Sequence, residues 1–355
     1  MTTIILTNRN RGLQIVKKCL LSLKQQTVQT FKVLLVDYGS HKTYQEQLHL
    51  VAENYEFVTL IQCDTQQQLW CKSRAINIAL KQCKTTFVFV GDIDMLYHPK
   101  FIEKLNKLKN KNTAIYFQVG FLNKEESKQI KNFKDYKISF KSKKEATGMT
   151  LFNTQTLMAI NGYDEFYNGW GSEDTDVHVR LKNVGFKVNF FDKEVLLLHQ
   201  WHSKQYRTKN SLEPFHSSLE QTNSEYLKLT ALSKQIKANL GFQWGNYNKL
   251  DYEQLSKTDL TFKITNSEAQ VKAFINRILL TEKNKIIHVT VSTHNEYKSL
   301  KQSIKKMLGK KTISFLSMKP VNDMLLESII SNLRNSAYKF QYDVKAKKIL
   351  LTIKL

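Results

Sequence analysis

The sequence predicts an α/β protein built on a mostly parallel central sheet, with a small basic α+β domain toward its C-terminal end. Two observations carry that expectation. Short apolar runs alternate with amphipathic stretches of helical length up to about residue 202, and beyond about residue 250 the pattern changes and turns basic. A third observation, "FVFVGDIDMLYHP" (87–99), points to a site: a run of apolar residues ends on two carboxylates, Asp92 and Asp94. Acids drawn into a core cost several kcal/mol unless they are paired or bound to a metal, so this pair is not filler.

"TTIILTN" (2–8) reads as a strand, residues 13–25 as an amphipathic helix and "FKVLLVDYGS" (31–40) as the next strand. A helix over 42–54, a strand in "FVTLIQC" (57–63), a helix over 70–82 and a strand in "TTFVFVGDID" (85–94) continue the rhythm. Strand and helix in alternation imply βαβ crossovers and a parallel sheet, whose ligands collect beyond the carboxyl ends of the strands. Both "VDYGS" and "GDID" lie at such ends. Then come "AIYFQVGFL" (114–122), a lysine-rich connection (124–145), "TGMTLFN" (147–153), a helix opening near Ser172, and "FKVNFFDKEVLLLHQWH" (186–202). Residues 203–250 read as polar and irregular or helical, with aromatics at Phe242, Trp244 and Tyr247. From about residue 255, strand-like "LTFKIT", "KIIHVTVST", "TISFLSM" and "KILLTIKL" alternate with helices near 267–281, 296–308 and 320–335. The expected division is a larger α/β domain over 1–250 and a smaller α+β domain over 251–355.

The chain has 355 residues, 41% of them hydrophobic and 11% aromatic, enough for a large α/β domain with a real core and a smaller unit beside it. No window of eighteen apolar residues occurs, and "MTTIILTNRNRG" runs straight into a strand pattern without a signal-peptide pattern, so a soluble cytoplasmic protein is expected. Cys19, Cys63, Cys71 and Cys83 form no C-x-x-C pair and read as reduced thiols, not as a zinc site. The net charge of +23 admits a nucleic acid, an anionic membrane surface or an anionic substrate as partner, or simply a lysine-rich solvated surface. Residues 251–355 hold 19 Lys or Arg against 9 Asp or Glu, a local excess of 10.

Three constellations carry chemistry. On an extended segment Asp92 and Asp94 would point the same way, and oxygen ligands of that kind hold Mg2+ or Mn2+. In "GYDEFYNGWGSEDTDVHVRLKNVGF" (162–186), Ser172 can cap a helix whose first turn holds Glu173, Asp174 and Asp176. Val177, Leu181 and Val184 would form its buried face, with Gly185 as the stop. Acids there can simply stabilise the helix dipole, but the "NGWG" loop sets Trp170 beside them, as a sugar-binding, base-supplying site requires. Finally, "LHQWH" ends an apolar strand with His199 and His202, and a neutral imidazole suits Mn2+.

The order of "VDYGS", "CKSRAINIAL", "GDID", "NGWGSEDTDVHVRLKNVGF" and "LHQWH" resembles the nucleotide-sugar-dependent glycosyltransferases of the GT-A fold. It is most similar to family-2-like bacterial transferases and polymerases, and to the galactosyltransferase-type C-terminal motif with its W-G-x-E-D core. The resemblance covers residues 1 to about 205 and implies a GT-A catalytic domain. It implies that Asp37 accepts from the uracil ring, that Tyr38 can stack on the base, and that Arg74 and Asn77 lean on the donor site. Asp92 and Asp94 match the metal and ribose contacts, with Asp94 as direct metal ligand. Trp170 and Gly171 match the loop over donor and acceptor, Glu173 an acceptor hydroxyl contact, and Asp174 the catalytic base of inverting members. His199 matches the third protein ligand to the metal, with His202 as its fallback.

The expected activity is therefore a metal-dependent, inverting transfer of a sugar such as Gal, GalNAc or GlcNAc from a UDP-linked donor. The acceptor would be a glycan or lipid-linked glycan, anionic in one reading, in surface polysaccharide synthesis. The basic C-terminal domain could hold that acceptor at the inner face of a membrane. The alternatives are a nucleic-acid-binding protein, suggested by charge alone and lacking a helix-turn-helix, zinc-finger, RNP or glycine-clamp pattern, and a non-catalytic carbohydrate-binding scaffold. Nucleic acid is not expected as a partner.

Overall fold

Every residue of Thr2–Asn8 (β1) is buried, as a strand must be when it is paired on both edges and covered on both faces. A computed structural model describes residues 1–203 and 214–355; part of the polar stretch expected over 203–250 thus lies outside the described residues. Two compact units form. The first comprises Met1–Asp64, Trp70–Thr208 and Glu220–Tyr247, and the second Thr65–Leu69, Lys209–Leu219 and Asn248–Leu355.

In the first unit β1 leads through Leu13–Lys24 (α1) to Phe31–Tyr38 (β2), then Lys42–Ala52 (α2), Val58–Cys63 (β3), Lys72–Leu80 (α3) and Phe87–Asp92 (β4). The strands β3, β2, β1 and β4 lie side by side and parallel. Met95–Tyr97 (β5) and Phe101–Leu108 (α4) follow. The apolar segment 114–122 contains two strands, Thr113–Phe117 (β6) and Val119–Phe121 (β7), which join different sheets. The lysine-rich connection contains Lys124–Lys128 (α5) and the short strand Phe140–Lys141 (β8). After Thr150–Asn153 (β9), Thr154–Ala159 (α6) and Glu173–Asn183 (α7), the segment 186–202 likewise contains two strands, Lys187–Phe191 (β10) and Leu197–His199 (β11). The main sheet runs β10-β6-β9-β4-β1-β2-β3, with β9 antiparallel to both neighbours, and a smaller one runs β5-β11-β7-β8. Leu219–Leu232 (α8) is the long helix of the remaining polar segment.

Alternation along β1 builds the core on both faces. Ile4 and Leu6 pack with Val16, Leu20 and Leu23 of α1, while Ile5 packs on the other side with Ala75, Ile76 and Ala79 of α3. The four cysteines are free, and three of them are buried.

The second unit contains Lys249–Glu253 (α9), Leu260–Thr265 (β12), Glu268–Phe274 (α10), Ile286–Ser292 (β13), Leu300–Met307 (α11), Met318–Asn332 (α12), Tyr338–Asp343 (β14) and Lys348–Lys354 (β15). Its sheet runs β12-β13-β15-β14, and Val289, Leu351 and Phe340 lie on its buried face. Two sequence expectations change here. "TISFLSM" supplies only an isolated bridge from Phe315 to Ser267, and the fourth strand is instead β14, "YKFQYD". The segment Thr65–Leu69 also belongs to this unit: Gln68 donates to the Tyr338 carbonyl at 2.9 Å, and the Tyr338 hydroxyl accepts from the Leu69 amide at 3.0 Å.

Candidate active site

Strand register places the first acids. Asn8 is opposite Asp37, and Thr7 is opposite Asp92, so both carboxylates sit at carboxyl ends flanking β1. They differ in surroundings. Asp37 is fully buried and accepts from Asn8 at 2.6 Å, Ser40 at 2.5 Å and Gln45 at 3.2 Å. Burial pushes its pKa up, and the three hydrogen bonds oppose that rise. Tyr38 points to the other face, as strand alternation requires, and is only 1% exposed with its ring edge against Trp70. The expected stacking on a base is therefore corrected, since the ring is part of the core. Asp37 and Tyr38 are not brought together.

Asp92 and Asp94 do not form a parallel pair. Ile93 and Asp94 make the turn between β4 and β5, which replaces the extended geometry assumed from sequence and sends the two carboxylates to different partners. Asp92 meets Lys72 Nζ at 3.1 Å. Asp94 meets His202 Nε2 at 3.2 Å, Arg11 at 3.4 Å and His199 Nε2 at 3.7 Å. The antiparallel pairing of β5 with β11 puts His199 opposite Met95, and the Gln200 amide donates to the Asp94 carbonyl at 2.9 Å. The two histidines are thus not alternatives, because both converge on Asp94. Burial alone would raise the Asp94 pKa, but His199, His202 and Arg11 outweigh it and hold the carboxyl well below its usual range.

Whether these residues suit a divalent cation can be judged from the donors themselves. One carboxylate oxygen and two imidazole nitrogens lie within 4.8 Å of one another, and Asp94 Oδ1 is buried without a hydrogen-bond partner. A hard oxygen with two nitrogen donors fits Mn2+ and tolerates Mg2+. Asp94, His199 and His202 would hold the ion.

The second cluster gathers on α3 and α7. Lys72, the first residue of α3, sets its ammonium 2.9 Å from Asp174 Oδ2, 3.1 Å from Asp92 and 3.6 Å from Glu173. Burial would push this ammonium down, but Asp174, Asp92 and Glu173 together hold it well above its usual value. Glu173 goes the other way: burial, reinforced by the charge of Asp174, pushes its carboxyl up to about 7. Gly148 lies against Asp174, where an added Cβ would come within 3.3 Å of Oδ2, so the backbone approaches the carboxylate closely.

α7 begins differently from the expectation. Ser172 is left-handed, with φ of +75°, and its side chain makes no capping bond; its carbonyl receives the Asp176 amide at 2.9 Å. Asp176 is not a solvated dipole partner. It is fully buried, bonded to Arg180 Nε at 2.6 Å and to the Tyr167 hydroxyl at 3.1 Å. Val177 and Leu181 are buried as predicted, whereas Val184 is 42% exposed because the helix has ended; Gly185 follows at φ of +86°.

Trp170 is 51% exposed, and Gly171, at φ of +98°, precedes the left-handed Ser172. Behind the loop, Asn223 of α8 donates to the Asn168 carbonyl at 3.0 Å and the Trp170 carbonyl at 3.3 Å.

Arg74 and Asn77, expected to lean on the donor site, are both buried. The Arg74 guanidinium turns to the Asn246 carbonyl at 2.9 Å, and the Asn77 amide is fully buried on Tyr163 and Glu165. Gly162, at φ of +64°, lies so close to Asn77 that a Cβ would come within 2.3 Å of its side-chain oxygen. The cation beside the acids is Lys72, which sequence reasoning passed over although it opens the same "KSRAINIAL" segment, and Arg11 was likewise missed. Cys71 was read only as a free thiol; it accepts from the Arg74 amide at the start of α3.

Residues 3–162 match the family described as glycosyl transferase family 2, and residues 128–202 match the one described as the N-terminal domain of galactosyltransferase. No curated protein matches the chain. Among solved structures the chain is similar to GalNAc-T7 with UDP, GalNAc and Mn2+, at 13% identity, over 65% of this chain and 48% of that one, with a TM-score of 0.47. It is also similar to the mannosyltransferase PcManGT from Pyrobaculum calidifontis in complex with GDP-Man and Mn2+, at 16% identity over 58% of each chain, with a TM-score of 0.42. The chain therefore spans only about half the length of these structures. The two family matches together run from residue 3 to residue 202, the stretch that carries both acid clusters, and both models describe glycosyltransferases. The family 2 match spans the larger portion, and the galactosyltransferase match spans the portion with α7 and the two histidines.

Proposed function

We propose that the protein is a metal-dependent, inverting glycosyltransferase that moves a hexose such as Gal, GalNAc or GlcNAc from a UDP-sugar to a hydroxyl of a glycan or lipid-linked glycan. The observation that carries this reading is the bridge made by Lys72 between Asp92, at the end of β4, and Asp174, at the start of α7. It joins a strand-end acid beside the metal-type cluster to the acid that this reading makes the base.

In this reading Asp174 is the base. Its carboxylate takes the proton of the acceptor hydroxyl while that oxygen forms a bond to the anomeric carbon and the bond to the departing phosphate oxygen breaks. A single displacement of this kind inverts the anomeric centre, and the nucleoside diphosphate leaves. Lys72 orients Asp174 through a charge-assisted hydrogen bond. Glu173, whose carboxyl burial pushes up to about 7, can donate to an acceptor oxygen when it carries its proton. Trp170 offers an exposed ring face on which a sugar can lie. A divalent cation held by Asp94, His199 and His202 would supply charge neutralisation for the leaving diphosphate.

No helix among the described residues is long and apolar enough to cross a membrane. We place the protein in the cytoplasm, working in surface polysaccharide synthesis and associating peripherally with the membrane through its basic second unit, which also offers an anionic acceptor a favourable field. The test is binding and hydrolysis of a panel of nucleotide sugars, with and without Mn2+, for wild type, Asp94→Ala and Asp174→Asn. One donor should bind only with metal, Asp94→Ala should lose that binding, and Asp174→Asn should bind donor without turnover. If no nucleotide sugar binds under any metal condition, the proposal falls.

A further inference from the structure

Helix α11, "LKQSIKKM", is packed with its apolar side outward. Leu300 is 82% exposed, Ile304 55%, Met307 87% and the adjoining Leu308 63%, and the helix has no buried residue. At 100° per residue these four side chains form one continuous arc. The side that faces the domain is polar. Gln302 donates to Glu296, accepts from the Ile313 amide at 3.1 Å and gives its own amide to the Ser299 hydroxyl at 3.3 Å. The neighbouring α12 shows the ordinary arrangement, with Val321, Leu325, Leu326, Ile329 and Ile330 all buried. The outward arc of α11 is therefore not core waiting for a better rotamer.

Charge indicates what covers it. Between residues 293 and 314 the chain carries Lys298, Lys301, Lys305, Lys306, Lys310 and Lys311 against one acid, Glu296, which Lys301 and Gln302 already engage. A second copy of a chain bearing +23 would meet this patch with like charge. An anionic bilayer offers the complement of both features, with headgroups for the lysines and acyl chains for Leu300, Ile304, Met307 and Leu308. We propose that α11 is an interfacial docking helix that seats the second unit on an anionic lipid surface, its apolar arc in the headgroup and acyl boundary and its lysines at the phosphates. This gives the membrane association suggested above a definite element, and it stands or falls separately from the glycosyltransfer chemistry.

The experiment is co-flotation of the full-length protein with vesicles of pure phosphatidylcholine and of equal parts phosphatidylcholine and phosphatidylglycerol, at low and at high salt. Three proteins are compared: wild type, the triple variant Leu300→Glu, Ile304→Glu, Met307→Glu, and the charge variant Lys305→Ser, Lys306→Ser, Lys310→Ser, Lys311→Ser. Because none of the substituted side chains is buried, circular dichroism and the melting temperature should match wild type. Wild type should float with the anionic vesicles only, and the triple variant should lose about tenfold or more in partitioning. The charge variant should lose most of its binding to the anionic vesicles, and the binding that remains should no longer depend on salt. Overturning results are a wild type that ignores both vesicles, a folded triple variant that floats as well as wild type, or a wild type that self-associates through this face without binding lipid. Donor binding measured on the same samples separates this outcome from the catalytic reading, since neither variant touches that site.

Discussion

Lys72 Nζ lies 2.9 Å from Asp174 Oδ2 and 3.1 Å from Asp92, so one ammonium links the end of strand β4 to the start of helix α7. Three carboxylates within reach of a single largely buried cation would repel one another without it. Lys72→Met should therefore lower kcat/KM by about 100-fold or more while leaving the fold intact, as steady-state kinetics and circular dichroism would show. Wild-type turnover in that variant would remove Lys72 from the chemistry.

The Asp94, His199 and His202 cluster predicts metal affinity directly. His199→Ala or His202→Ala should each weaken Mn2+ binding by about 10- to 100-fold, and Asp94→Asn should weaken it at least as much. Titration calorimetry with Mn2+ alone reads this without donor or acceptor. Equal affinity in all three variants would place the ion elsewhere.

Glu173 makes stability depend on pH. Its carboxyl is raised from 4.5 to about 7 in the folded protein, so the folded state binds the proton more tightly than the unfolded chain does. The stability tied to that proton is fully present below pH 4.5 and is lost as pH rises through about 7. Glu173→Gln, which cannot ionise, should melt at the same temperature as wild type near pH 4.5 and several degrees higher above pH 7. A constant gap across the range would contradict the assignment.

The buried pair Asp176–Arg180 tests the frame under the site. Arg180 Nε is 2.6 Å from Asp176, and the same guanidinium holds the Ile160 and Gly162 carbonyls at 2.9 and 2.8 Å. Arg180→Met strands a carboxylate with its raised pKa in the interior and should cost about 3–5 kcal/mol. Replacing both residues, Asp176→Leu with Arg180→Met, should recover part of that loss. Urea unfolding of the two variants distinguishes a dependent pair from independent contributions.

Much of this was legible in the residues. The alternation that made β1, β2 and β4 recognisable survives because each strand is buried on both faces and reads as a continuous apolar run. "GDID", "WGSED" and "LHQWH" were recognisable because acids and imidazoles at strand and helix ends have few ordinary reasons to be there. Local pattern could not show where a strand breaks. "AIYFQVGFL" looks uniform, yet its two halves hydrogen-bond in different sheets. "YKFQYD" escaped notice as a strand because its alternation only shows its meaning once Phe340 is known to face the core.

By itself the sequence determined the α/β class, the strand-end position of Asp37 and Asp92, and the short segments in which acids and imidazoles gather, because these follow from residue type and period. Only the tertiary structure decided how the acids are shared out. The turn at Ile93–Asp94 sends one carboxylate to Lys72 and the other to His199 and His202. Arg74 and Asn77 are drawn into packing while Lys72, beside them in the chain, reaches the site. Direction of this kind depends on which element lies opposite, and that is a property of chain closure over long sequence separations, which no local pattern contains.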